Sequence, residues 1–121
     1  MKNYRQAMGN WGEKMAEAYL QAKGYQVLGR NIRTPYGEID LLVTQAGVLV
    51  FVEVKTRSSL SYGPPEDGVT GGKQSHLLNS AKFYLQDHLA LEQDWRVDVI
   101  AILGKPGDEP VEITHFENAI N

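Results

Sequence analysis

The stretch Gly37 to Arg57, GEIDLLVTQAGVLVFVEVKTR, decides how this chain folds. Two apolar, β-branched runs, Ile39 to Val43 and Val48 to Val54, flank the turn-like Thr44-Gln45-Ala46-Gly47, which predicts a β-hairpin. Alternation places Ile39, Leu41, Val43, Val50, Val52 and Val54 on one face. Glu38, Asp40, Leu42, Phe51, Glu53 and Lys55 then fall on the other, so one end of that face is wholly ionic. The Val48 to Val54 run is apolar enough to be a central strand, where charges are costly unless they are compensated or used.

A two-residue turn at Ala46-Gly47, or a four-residue loop around it, sets Asp40 opposite Glu53 and Glu38 opposite Lys55. Cross-strand neighbours have Cβ atoms about 4.5–5.5 Å apart. Two carboxylates at that spacing repel unless one is protonated or a cation lies between them, and a hard divalent ion with oxygen ligands is the usual solution. A three-residue loop would put the two carboxylates on opposite faces, and the sequence leaves the loop type open. A surface hairpin with a solvated Glu-x-Lys pair is the plainer alternative.

An Asp, a hairpin and then Glu-x-Lys resembles the core of the PD-(D/E)xK nuclease superfamily, which has the restriction-endonuclease-like fold and includes archaeal Holliday junction resolvases. The chain is more closely similar to the UPF0102 (YraN-like) family of small predicted bacterial endonucleases. That resemblance rests on Gly9-x-x-Gly12-Glu13-x-x-Ala16-x-x-Tyr19-Leu20, Gly24-Tyr25, Arg30-Asn31, Gly37-Glu38-Ile39-Asp40-Leu41, Phe51-Val52-Glu53-Val54-Lys55-Thr56-Arg57, Lys73, Arg96-x-Asp98-Val99 and Asn118-Ala119. It spans nearly the whole chain. The proline that names the superfamily is absent before Asp40, where Ile39 stands, although Pro35 is nearby.

The resemblance implies Mg²⁺ or Mn²⁺ held by Asp40, Glu53 and the Val54 carbonyl. In related nucleases an acidic residue of the first helix reaches the metal, which makes Glu13 a further candidate ligand. Lys55 is expected to orient the attacking water or stabilise developing charge, with Glu38 supporting Lys55 or binding a second ion.

At 121 residues the chain fits one domain, residues 1–121, with a single core. Without cysteine, disulfides, thiolate metal sites and a cysteine nucleophile are all excluded. The start, MKNYRQAMGNWGEK, lacks the apolar core of a signal peptide, and no run approaches the roughly 20 apolar residues of a membrane span, so a cytoplasmic location is expected. The net charge of −3 argues against coating nucleic acid by bulk electrostatics. Its distribution is uneven, however. Residues 1 to 33 balance to +4, whereas from Ser58 onward four basic residues face ten acidic ones.

Along the chain, Ala7, Met8, Trp11, Met15, Ala18 and Tyr19 mark one face of a helix over Met1 to Lys23, stopped by Gly24. Gly9 and Gly12 each cost about 1 kcal/mol of helix propensity, which points to close packing or a break. Tyr25 to Arg33 reads as a first strand, turning at Thr34-Pro35-Tyr36-Gly37. Ser58 to Gly72 reads as a long functional or mobile loop, with Tyr62 placed to stack on a base. Lys73 to Ala90 has helical periodicity, and Lys73 and Gln74 occupy its anion-attracting first turn.

Strands are expected at Trp95 to Leu103, parallel to Val48 to Val54 through a crossover, and at Val111 to Phe116. Asp98 is read as structural, paired with Arg96 or a backbone amide. His76, His88 and His115 are too scattered for a metal motif and read as surface or helix-end residues. Arg30, Arg33, Arg57, Lys73 and Gln74 are the candidate phosphate contacts.

The expectation is thus an α/β fold of restriction-endonuclease type, with a mixed sheet flanked by helices. The expected function is metal-dependent hydrolysis of DNA phosphodiester bonds, on branched or single-strand-containing substrates. The rival is a non-catalytic nucleic-acid-binding or scaffolding protein that keeps the fold.

Overall fold

The computed structural model describes residues 4–58, 71–88, 90 and 92–120, without the side chains of residues 71–74. The element order is α1 (Tyr4–Ala22), β1 (Gln26–Thr34), β2 (Gly37–Gln45), β3 (Val48–Arg57), α2 (Gly71–Asp87), β4 (Trp95–Leu103) and β5 (Glu112–Ile120). The five strands form one sheet in sequential order, antiparallel at every junction except β3–β4. This mixed sheet with a helix on each face is the α/β architecture of the restriction-endonuclease-like fold. No described helix is long and apolar enough to cross a membrane.

The β2–β3 connection is the two-residue turn Ala46-Gly47, with both residues left-handed at φ 53° and 80°. That is a type I′ turn, whose twist matches the flanking strands. Pairing runs from Gln45↔Val48 to Leu41↔Val52, so the next pair in register is Asp40 with Glu53. The expected crossover is present as well: β3 and β4 are parallel from Leu49↔Trp95 to Arg57↔Leu103.

One layer of core lies between the sheet and α1, where Ala16 and Leu20 pack on Leu41, Val43, Val50, Val52, Ile100 and Ile102. The other lies under α2, where Leu77, Ala81 and Leu85 pack on Ile39, Leu42, Phe51, Val97 and Val99. Ile39 therefore shares a face with Leu42 and Phe51, contrary to the strict alternation that grouped it with Leu41 and Val43. The slip has a local cause. β1 pairs Arg30 with Leu41 and Ile32 with Ile39, and between them Asn31 adopts φ 50°, which breaks the alternation where Asp40 sits.

The buried stripe of α1 is Met8, Gly12, Ala16 and Leu20; of the expected face Met8 is buried and Trp11, Met15 and Tyr19 pack partly buried against the same core, whereas Ala7 and Ala18 are exposed. Gly12 explains the difference. A Cβ there would overlap Thr56 Oγ1 and come within 3.1 Å of Thr56 Cβ, so α1 lies on β3 as closely as only glycine allows. The helix runs unbroken through both Gly9 and Gly12.

Helix α2 begins at Gly71 and ends at Asp87, earlier at both ends than the periodicity suggested, and β5 runs on to Ile120. Of the expected Ser58–Gly72 loop, Gly71 and Gly72 are helical, while Tyr62 and the rest of residues 59–70 lie outside the described residues.

Three polar or charged residues are buried among the described core: Glu53, Ser80 and Asp98. Each needs a compensating partner. Ser80 meets Thr34 Oγ1 at 2.9 Å, tying α2 to the β1–β2 turn. Asp98 accepts from Arg96 Nε at 3.0 Å, from the Asn118 amide at 2.8 Å and from His115 Nε2 at 2.7 Å. Arg96 in turn donates to Tyr25 Oη at 2.7 Å.

The structural reading of Asp98 is correct, whereas that of His115 is not. Its side chain is only 3% exposed, closed over by Tyr19 and Tyr25. Burial alone would raise the Asp98 carboxyl, but the bonds from His115, Arg96 and the Asn118 amide hold it below its ordinary value.

Candidate active site at the open end of the hairpin

The third buried polar residue, Glu53, lies at the end of the β2–β3 hairpin away from its turn. Asp40 is fixed beside it because the Val54 amide donates to Asp40 Oδ2 at 2.8 Å. Lys55 Nζ stands 3.4 Å from Glu53 Oε1, with a side chain 20% exposed against 8% for Glu53. The slip at Asp40 is what allows this, since it turns the carboxylate onto the backbone of β3 while Ile39 stays in the core. Burial, followed by the charge of Glu53, pushes the Asp40 carboxyl up to about 8.

Glu13 arrives from α1. With the Asn31 amide oriented to satisfy both of its ends, its nitrogen donates to Glu13 Oε1 at 3.0 Å and to Glu38 Oε1 at 2.9 Å. Burial and then the charge of Glu38 raise the Glu13 carboxyl, against the lowering effect of the Asn31 bond, and Glu53 adds to the rise. The structure thus gathers Glu13, Glu38, Asp40, Glu53 and Lys55 into one neighbourhood. Asn31 is the member that sequence reasoning passed over. Its signal was an asparagine, a side chain that tolerates left-handed backbone, inside an otherwise regular strand.

The donors at this site are oxygens, which suit a hard cation. Among the described residues no three His, Cys, Asp or Glu side chains converge as a ready-made cation cage. Two carboxylates and a backbone carbonyl are nevertheless the sparse set that Mg²⁺ takes, since it keeps several waters and completes its shell with substrate phosphate. Burial first and then the adjacent Glu53 charge raise the Asp40 carboxyl, and a divalent ion between the two carboxylates would relieve the second of these.

The sequence of this chain matches the model of the uncharacterised protein family UPF0102 over residues 12–102. The chain belongs to this family. A UPF0102 protein of Syntrophotalea carbinolica is 41% identical over 121 residues, covering 100% of this chain and 97% of that one. UPF0102 proteins of Syntrophomonas wolfei and Caldicellulosiruptor saccharolyticus are 42% and 36% identical, covering 93% and 95% of this chain and 96% and 98% of theirs. The region matching the UPF0102 model contains Glu13, Asn31, Glu38, Asp40, Glu53 and Lys55.

The candidate phosphate contacts are dispersed around this centre. Arg30 forms a two-pronged pair with Glu17 at 2.5 and 2.8 Å. Arg33 is exposed on β1, and Arg57 is partly buried at the end of β3. Lys73 and Gln74 lie in the first turn of α2 as expected, but their side chains are outside the described set. Two clefts meet at Glu13. One, of about 280 Å³, opens toward Lys14, Arg30 and Asn31, and the other, of about 310 Å³, toward Arg5, Lys55 and Thr56.

Proposed function

We propose that this protein is a metal-dependent nuclease that hydrolyses phosphodiester bonds of DNA. The observation that carries the reading is the juxtaposition of Asp40, Glu53 and Lys55 at the open end of the hairpin. A binding module has no use for a buried and a half-buried carboxylate beside a polyanion unless a cation neutralises them.

In this reading Asp40, Glu53 and the Val54 carbonyl would hold Mg²⁺ or Mn²⁺, which would supply Lewis-acid activation of phosphate and water. The residues of the chain do the rest. The Val54 amide keeps Asp40 from rotating away, which fixes the carboxylate spacing before any ligand arrives. The Lys55 ammonium, held near Glu53, orients the attacking water and meets the charge that develops on the phosphate. Asn31 restrains Glu13 and Glu38 at the rim, where they assist through water or a second ion.

The test is cleavage of labelled duplex, flap, single-stranded and branched DNA with Mg²⁺ or Mn²⁺. Asp40→Asn and Glu53→Gln are expected to abolish turnover. Cleavage that persists equally in both variants would refute the assignment.

A further inference from the structure

Gly12 and Gly9 lie one turn apart on α1, and only one of them has a packing reason to be glycine. A Cβ on Gly12 would collide with Thr56, but a Cβ on Gly9 would have none of the described residues within 4 Å. A mid-helix glycine gives up roughly 1 kcal/mol of stability relative to alanine. Gly9 incurs that cost without relieving any contact among the described residues, and the space it leaves open lines the cleft of about 310 Å³ beside Lys55.

The rest of that cleft is chemically specific. Arg5, Gly9 and Glu13 are spaced four residues apart and form one row along the helix, with the glycine as a gap between a cation and a carboxylate of the site. Lys55 and Thr56 form the opposite wall. Tyr4 stands at the edge and is 68% exposed, the most exposed large hydrophobic side chain among the described residues. The volume is at the small end of the roughly 300–1,000 Å³ typical of ligand pockets, room for one nucleotide and not for a run of them.

We propose that this cleft binds a single unpaired nucleotide of the strand being cut, with Tyr4 stacked on the base, Arg5 on a phosphate and the sugar-phosphate backbone passing over Gly9. This rests on the nuclease reading and narrows it to substrates with a single-stranded segment beside the scissile bond. A paired base is already stacked between its neighbours and offers no face to Tyr4, whereas an unpaired base does. Arg5 and Lys55 give the nucleotide positive partners on either side of Gly9, next to carboxylates that would otherwise repel it.

The test is fluorescence anisotropy with Ca²⁺ in place of Mg²⁺, using a short oligothymidylate, the matching oligouridylate and a blunt duplex. Tyr4→Ala is expected to weaken binding of the single strands by about 5- to 100-fold, the range for one lost base stack, with Tyr4→Phe retaining it and duplex binding unchanged. Arg5→Gln should lower the salt slope by about one. Gly9→Gln should weaken single-strand binding while raising the melting temperature by a few degrees, because it fills the cleft and improves the helix.

Equal losses on both single strands would assign the cleft to nucleotides in general, and a loss on one alone would assign it to DNA or RNA. Unchanged single-strand affinity in Tyr4→Ala and Gly9→Gln would overturn the cleft and leave the nuclease reading standing. A lower melting temperature for Gly9→Gln would overturn the claim of open space. Failure of the wild type to bind any of the probes would overturn the nuclease reading and the cleft together.

Discussion

The Val54 amide donates to Asp40 Oδ2 at 2.8 Å, so the backbone of one hairpin strand holds the carboxylate of the other against Glu53. Such a bond favours the charged carboxylate, yet burial and the charge of Glu53 outweigh it and leave Asp40 protonated at neutral pH, with its pKa near 8. Preorganisation and repulsion are thus built into the same few atoms.

Mg²⁺ binding should therefore release a proton. Below about pH 8 the ion must displace the proton of Asp40, so affinity should fall by about tenfold per unit as the pH drops. Calorimetry in buffers of different ionisation enthalpy reads this directly. Affinity that does not change between about pH 6 and 8 would show that Asp40 is not a ligand.

Stability without metal should have the opposite dependence on pH. The folded Asp40 value lies above the ordinary 3.8, so its contribution is fully present below about pH 4 and is lost as pH rises through about 8. Asp98, whose value is lowered, acts only at the acid end, where its contribution is lost as the pH falls. Thermal melts in chelator are expected to show wild type losing stability between about pH 5 and 8 relative to Asp40→Asn, and saturating Mg²⁺ should reverse that loss. Parallel curves for the two proteins would contradict the burial of Asp40.

Asp98→Ala should be severely destabilising, by about 3–5 kcal/mol, because it leaves Arg96, His115 and the Asn118 amide facing an apolar space. Denaturant titration measures the loss. The metal affinity of the remaining folded protein should be unchanged, since Asp98 ties β4 to β5 and takes no part in the carboxylate site.

Gly12→Ala is expected to destabilise by about 1–2 kcal/mol, because overpacking against Thr56 exceeds the gain in helix propensity. Thr56 is β-branched and confined in its rotamers, so relief must come from moving β3 at the residue next to Lys55. Activity should fall along with stability, and Thr56→Ala in the same chain should restore both. A Gly12→Ala protein as stable as wild type would mean that the helix and strand can separate without cost.

The hairpin and the Asp40–Glu53 pairing were legible because they follow from parity and turn length, which are local, and the crossover because a strand, a helix and a strand in succession pair in parallel. What escaped depended on residues far apart in sequence. Ile39 was assigned to the wrong face because a left-handed Asn31 on the neighbouring strand shifts the alternation at Asp40. His115 was read as a surface residue because its partner Asp98 is 17 positions away across an irregular β4–β5 ladder, where Asn118 at φ 49° directs its amide inward. The buried stripe of α1 was drawn only in part because Gly12, which lies against Thr56 of β3, does not register as apolar. Asn31 shows no hydrophobic or charge pattern, and only the positions of Glu13 and Glu38 reveal what it does.

Lys55 separates catalysis from binding more cleanly than the carboxylates do. Removing Glu53 subtracts a negative charge that repels phosphate, so nucleic-acid binding can improve even as metal and activity are lost. Lys55→Met keeps the length and the apolar stem of a side chain that is 20% exposed, and removes only the ammonium 3.4 Å from Glu53. The strand should therefore persist, and both Mg²⁺ and DNA should still bind. If the ammonium acts on the attacking water, single-turnover cleavage should slow by about 10²-fold or more, the usual loss for one transition-state contact. If it only neutralises Glu53, the variant should cleave at the wild-type rate once Mg²⁺ supplies the missing positive charge. Unaltered cleavage by folded, metal-loaded Lys55→Met protein would thus withdraw the catalytic role of Lys55 and leave the carboxylate pair as a cation site alone.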